Sequence, residues 1–202
     1  MIDFVAIFIA FFTVIDPIGT VPVFVAVTNS LEGGSRARVA ARAVAISAAV
    51  LVFFVAAGEP ILKAIDVPLS AFQIAGGIVL FLFALTMIFG PGKPESELAM
   101  IEGKADPAVF PLAVPSIASP GAMLAAVLLT QNDLHGVAEQ VQITCVMLTV
   151  LFVTWVLLRA SGRIHRVVGD SGASVISRVM GLLLAAVAAS NVLGGIKLYF
   201  DL

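Results

Sequence analysis

The chain has 202 residues, a formal net charge of −2, and 12% charged against 60% hydrophobic residues. Soluble domains carry about 25% charged and roughly 45–50% apolar residues, so too little polar surface exists here to cover a water-soluble core, and the composition marks an integral membrane protein. No basic patch interleaved with aromatics points to nucleic acid. Cys145, the single cysteine, excludes an intramolecular disulfide or a CxxC redox pair and reads as a small buried hydrophobe.

A hydrocarbon core of about 30 Å takes roughly 20 helical residues. Six segments reach that length, at 3–28, 38–58, 69–90, 108–131, 137–159 and 174–200. The first begins MIDFVAIFIAFF with no positively charged start, so it reads as a retained span rather than a signal peptide. Its middle is interrupted by VIDPIGTVPVF, residues 14–24. Pro17 removes a helix hydrogen bond and disfavours helical geometry at Asp16. Gly19 is free to take a positive φ, and Pro22 suits the first turn of a new half-helix.

The second span runs into EPILKAIDVP, 59–68, where Glu59 and Asp66 are expected in solvent at the outer boundary, as are Asp133 and His135 further on. The third span carries Gln73 and Thr86. The segment 91–107, PGKPESELAMIEGKADP, is the long charged connection, and it divides a single transmembrane domain, 1–202, into halves at 1–90 and 108–202. The fourth span is broken by Pro115, Ser119, Pro120 and Gly121. The fifth and sixth follow, joined through 160–173, and the sixth carries Asn191.

Lysine and arginine set the orientation. Arg36, Arg38, Arg42, Lys93, Lys104, Arg159, Arg163, Arg166 and Arg178 fall on one side, and only Lys63 and Lys197 on the other. The positive-inside rule then puts both chain termini outside the inner (cytoplasmic) membrane.

The halves repeat. FQIAGGIVLFLFALTMIFG (72–90) aligns with SRVMGLLLAAVAASNVLGG (177–195), so that Gly76 meets Gly181, Ala84 meets Ala189 and Thr86 meets Asn191. Three spans earlier in each half, DPIG at 16–19 stands opposite SPG at 119–121. At 1.5 Å per residue both motifs lie about 16 Å deep. An odd separation of three spans forces the halves to run in opposite directions. The expected fold is therefore all-α, six transmembrane helices in two inverted three-helix repeats, with helices 1 and 4 broken at mid-membrane, the plan of secondary transporters.

Each break should expose N–H groups at a half-helix N-terminus, where the helix dipole favours an anion. Two such ends facing each other suit a carboxylate, while Asp16 and carbonyls freed on the preceding half-helices suit an ammonium. A small zwitterionic solute such as an amino acid fits that inventory. Asp16 also suits an N-cap, and an aspartate at this depth marks a pathway or proton site. Thr86, Asn191, Gln73 and Gln131 suit hydrogen bonds between helices, Thr86 and Asn191 being further candidates for lining a site. No ring of charge at one depth suggests a channel filter. The two histidines, His135 and His165, fall on opposite sides, so neither a hydrolase, a metal site nor a cofactor is expected.

DPIGTVPVF, AFQIAGGIVLFLFAL, AVFPLAVPSIASPGAM and SRVMGLLLAA, taken in order, resemble the successive signatures of the MarC family over essentially the whole chain. The resemblance implies a six-span bacterial membrane protein related to the lysine-exporter superfamily, with transport of small neutral amino acids such as glycine and alanine and proton coupling proposed for some members. Carried over position by position, the first signature places Asp16, Pro17, Gly19 and Pro22, and the fourth-span signature places Pro115, Pro120 and Gly121. Thr20 stands where asparagine is usual, Ser119 where glycine is common, and Gln73 where arginine is often found. The expected substrate site is thus Asp16, Pro17, Gly19, Thr20, Ser119, Pro120 and Gly121, with Asp16 as the coupling residue for a proton or cation. Oligomeric state is left open.

Overall fold

The computed structural model describes residues 3–29, 31, 33–90 and 106–201. Lys93, Lys104 and all but the last two residues of the 91–107 connection lie outside the described residues. Helices α1 (Phe4–Ile15) and α2 (Pro17–Thr28) together form one span of 25 residues, divided at Asp16. Helix α3 (Gly33–Ala64) and helix α4 (Leu69–Phe89) complete the first half. In the second half an irregular segment, Ala108–Ile117, leads into α5 (Pro120–Leu128). A long helical run, Val137–Tyr199, then divides at Gly169 (φ 64°, ψ 179°) into spans α6 (Val137–Ile164) and α7 (Ser171–Tyr199).

Five helical spans are long and apolar enough to cross a membrane, and Ala108–Ile117 with α5, bent by 55°, makes a sixth. The boundaries differ from expectation in two places. Helix α3 extends beyond 38–58 at both ends, and the expected connection 160–173 is largely helical, shrinking to a turn at Gly169. Both extensions are rich in alanine and arginine or carry aliphatic residues, which hold helical geometry without needing a membrane around them.

The seam that organises the bundle is a pairing of α4 with α7, which run antiparallel. A Cβ added at Gly77 would meet Val192 and the Ala188 carbonyl; at Gly181, Met87 and the Ala84 carbonyl; at Gly195, Ile74 and the Ser70 carbonyl. These backbones approach because no side chain separates them, the way helices associate where apolar surroundings supply no hydrophobic drive. Helix α5 wedges against α3 and α4: Gly58 faces Val127, Gly76 faces Leu124 and Gly121 faces Leu80. The core between them holds Phe11, Ile15, Phe24, Leu51, Leu80, Met87, Leu112, Ile117, Ile143 and Met147.

Two expectations are corrected here. Cys145 is exposed on α6 rather than buried; it shares the outward stripe of that helix with Val141 and Leu148. Glu59 is buried rather than solvated. Its carboxylate accepts the Asn132 amide at 2.8 Å and pairs with Lys63 at 2.6 Å, tying the loop after α5 to the end of α3. A carboxylate withdrawn from water needs such partners, and a sequence window does not show a partner 73 residues away.

Candidate functional site

The first break is a single residue. Asp16 adopts left-handed backbone (φ 51°, ψ 63°), closes α1 by donating its amide to the Phe12 carbonyl at 3.0 Å, and caps α2 by accepting the Gly19 amide on Oδ1 at 3.0 Å. Left-handed geometry costs an ordinary L-residue roughly 1–2 kcal/mol, and aspartate tolerates it because its short side chain bonds locally. The positive φ thus falls on Asp16 and not on Gly19. Glycine is needed at 19 for a different reason: a Cβ there would overlap the Asp16 carboxylate. Pro17, with no N–H to satisfy, fills the first helical position, and the Thr20 amide and hydroxyl both donate to the Asp16 carbonyl, at 3.1 and 3.0 Å.

The second break is longer. Phe110 and Val114, each joined to the following proline by a cis peptide bond, are extended at φ −132°, ψ 126° and φ −134°, ψ 124°. Regular α-helix resumes after Ser119, which caps α5 as Asp16 caps α2: its Oγ accepts the Ala122 amide at 3.1 Å, and Pro120 occupies the first helical position. The irregular stretch therefore spans 108–119 rather than Ser119–Gly121 alone.

The breaks meet. Ser119 Oγ donates to the Val14 carbonyl at 2.8 Å, across 105 residues of sequence. Thr20 Oγ1 lies 3.4 Å from the Ser116 carbonyl, and Ser116 Oγ lies 3.3 Å from Thr20 Oγ1. Ser47 of α3 adds a fourth contact: its hydroxyl, 2.9 Å from the Ala43 carbonyl of its own helix, also lies 3.2 Å from the Ala113 carbonyl. The Val14 carbonyl at the first break is thus met by a hydroxyl from the other half of the molecule. At membrane depth it would otherwise cost several kcal/mol.

The junction is closed. Asp16, Thr20, Ser116 and Ser119 are each at most 2% exposed, and Pro17, Gly19 and Gly121 are buried with them. The expected pair of bare N-termini is corrected accordingly. A proline removes one donor from each end and the Asp16 or Ser119 cap engages another, so the caps leave at most the amides of Ile18 and Gly121 for a ligand. The carbonyl at 14 is occupied by the Ser119 hydroxyl and that at 113 by the Ala118 amide, so neither is open to an ammonium; the carbonyl at 116 lies 3.4 Å from the Thr20 hydroxyl, whose shorter contact is the Asp16 carbonyl.

Of the sequence-predicted residues, Asp16, Pro17, Gly19, Thr20, Ser119, Pro120 and Gly121 all lie at or beside the two breaks. Thr86 does not join them: it is exposed on α4 and its hydroxyl donates to the Phe83 carbonyl at 2.7 Å. Asn191 is half-buried on α7, and the described hydrogen bonds tie it to neither break. Gln131 also bonds locally, to the Leu128 carbonyl. Ser116 and Ser47 were not expected at the junction. A serine midway between two breaking prolines was the available signal for Ser116, whereas Ser47 sits in an ordinary alanine-rich helix and only packing brings it there.

Comparison with known proteins places this geometry. The chain matches, over residues 1–200, the model of the MarC family integral membrane proteins. It is 32% identical over 197 residues to the UPF0056 membrane protein MJ1677 of Methanocaldococcus jannaschii, covering 96% of each chain. It is 32% identical over 187 residues to a UPF0056 membrane protein of Buchnera aphidicola subsp. Schizaphis graminum, covering 93% of this chain and 92% of that one. It is 31% identical over 187 residues to the UPF0056 inner membrane protein YhgN of Escherichia coli K12, covering 92% of each. No solved structure matches the chain significantly. A match over residues 1–200 makes the chain a member of the MarC family of integral membrane proteins.

Proposed function

We propose that this protein is a secondary transporter of small neutral amino acids, glycine- or alanine-like, working by alternating access with proton coupling at Asp16. The observation that carries the reading is the meeting of two capped half-helix N-termini, one from each half of the chain, one of them capped by the buried Asp16. The fold offers further support: α4 and α7, third and last spans of their halves, pair antiparallel, as two inverted repeats require. The name of the E. coli relative supports an inner-membrane location, and the arginine bias supports termini outside.

The caps make the two ends unequal, which orients the solute. Asp16 puts a carboxylate at the start of α2, where it repels a second carboxylate and attracts an ammonium. Ser119 puts a neutral hydroxyl at the start of α5, so the Gly121 amide and the positive end of that helix suit the solute's carboxylate. Transport then requires the Ser119–Val14 and Thr20–Ser116 ties to exchange for contacts with solute.

Counterflow of labelled glycine or alanine into proteoliposomes tests the proposal. Asp16→Asn keeps a residue that tolerates left-handed backbone while removing the charge, so it should fold and lose at least about tenfold in rate. Uptake into proteoliposomes unaffected by this substitution at every pH would sink the coupling role of Asp16. A second reading, a static junction in a protein that does not transport, draws on the closure itself, since all four polar residues are buried and Thr20, Ser116 and Ser119 reach across between the halves. Under that reading no amino acid would exchange at all.

A further inference from the structure

A second polar feature lies away from the junction, at the arginine-rich end of the bundle. A cavity of about 230 Å³ opens between the end of α2, the start of α3 and the end of α6. Phe24, Arg36, Ala40, Arg159 and Ser161 line it. We propose that this cavity is an anion site for a phosphate oxyanion, carried by a lipid headgroup or by a small soluble phosphate.

Two guanidinium groups line one small cavity, and among the described residues neither forms an ion pair. Each is instead held by an aromatic ring: Arg36 Cζ lies 5.8 Å from the centre of Phe24, and Arg159 Cζ lies 5.3 Å from the centre of Trp155. A ring face holds a cation in place without neutralising it. The pair of positive charges is therefore positioned and uncompensated, and an anion between them relieves their repulsion.

Ser161 supplies the second, independent observation. Its side chain is 2% exposed and lines the same cavity, yet among the described residues its hydroxyl has no hydrogen-bond partner. Buried hydroxyls in helices normally return a bond to the preceding turn, as Thr154 does to the Val150 carbonyl. A hydroxyl left without that bond beside two guanidiniums is a donor without an acceptor. An oxyanion with several acceptor oxygens completes all three groups, and planar guanidiniums suit phosphate bidentately. Arg36 also lies near the start of α3, where the helix dipole adds positive potential.

The chain's single tryptophan, Trp155, is the contact of Arg159, so its emission reports on the cavity. Purified protein in neutral detergent at constant ionic strength is titrated with inorganic phosphate, with dihexanoyl phosphatidylglycerol, and with dihexanoyl phosphatidylcholine as the zwitterionic control. A saturable change in Trp155 emission is expected with one or both anions and not with the control. Response to the lipid alone assigns a headgroup, and response to phosphate alone assigns a soluble ligand. Arg36→Gln, which leaves the Arg159–Trp155 contact in place, should weaken the apparent Kd by about tenfold or more. Arg36→Gln with Arg159→Gln should abolish saturation, while Arg163→Gln, exposed on the same helical run but outside the lining, should bind as the parent does. Thermal midpoints without ligand establish that each variant is folded, and the Arg36→Gln single variant carries the test if the double variant is not. The proposal is overturned if neither anion gives a saturable change beyond chloride, or if folded Arg36→Gln binds with the parent's affinity.

Discussion

Ser119 shows how one hydroxyl serves two structures. It accepts the Ala122 amide, which caps α5, and donates to the Val14 carbonyl, which ties the second break to the first. These roles separate by substitution. Ser119→Ala removes both, at a cost of about 1 kcal/mol for the cap and about 1–3 kcal/mol for the stranded carbonyl. Ser119→Gly, the residue common at this position in the family by resemblance, replaces the cap at a cost of only a few tenths. Unfolding midpoints in detergent should therefore fall in the order parent, Ser119→Gly, Ser119→Ala. Equal midpoints for the two variants would mean that the cap contributes nothing. Gly19 is the companion case. Because the Asp16 carboxylate lies over its Cα, Gly19→Ala must push that carboxylate off the Gly19 amide. The measurable result is a destabilised protein in which the Asp16 cap, not the glycine's own backbone angle, has been lost.

At the scale of elements, the spans were legible because a run of about 20 apolar residues has one fate in a membrane. Their breaks were legible because proline does not continue a helix, and Phe110 and Val114, each before a proline, are extended. What the breaks face was not legible: Ser47 and Val14 reach the junction through packing, and a carbonyl's partner 105 residues away leaves no local mark. Glu59 failed for the same reason. The glycine pattern was half legible, since aligning 72–90 with 177–195 set Gly76 opposite Gly181. The structure puts Gly181 and Gly195 into the α4–α7 seam with Gly77, and turns Gly76 toward α5. At Gly181 an added Cβ would sit 2.8 Å from Met87 Cβ and 3.1 Å from the Ala84 carbonyl, neither of which swings aside. Gly181→Ala should cost about 1–3 kcal/mol as overpacking. At Gly34, in the first turn of α3, nothing lies within 4 Å. Gly34→Ala should therefore leave the midpoint unchanged or raise it slightly, since alanine is the better helix former. If both substitutions shifted the midpoint alike, the seam would not be a close backbone contact.

Across the whole molecule, the chain is closed at one place that both halves share. Helices α1 and α2 from the first half and residues 108–128 from the second are held by hydroxyl–carbonyl bonds, each individually weak, in a region without water to compete. Such bonds suit a junction that must both seal and part, because a few exchanged hydrogen bonds change its state without unpacking the α4–α7 seam. A covalent tie in the same place separates a moving junction from a static one. Thr20 Oγ1 and Ser116 Oγ are 3.3 Å apart, so cysteines at these two positions fall within reach of a disulfide. With Cys145 first replaced by alanine, Thr20→Cys with Ser116→Cys, which loses two hydroxyls of the proposed site, should keep a lowered but measurable counterflow when reduced and lose it on oxidation. Reductant should restore it. Each single cysteine variant treated with the same oxidant should be unaffected, which removes general oxidation as the cause. Full counterflow with the bridge shown closed by mass would mean that the two breaks never part during transport, and the solute path would then have to run elsewhere in the bundle.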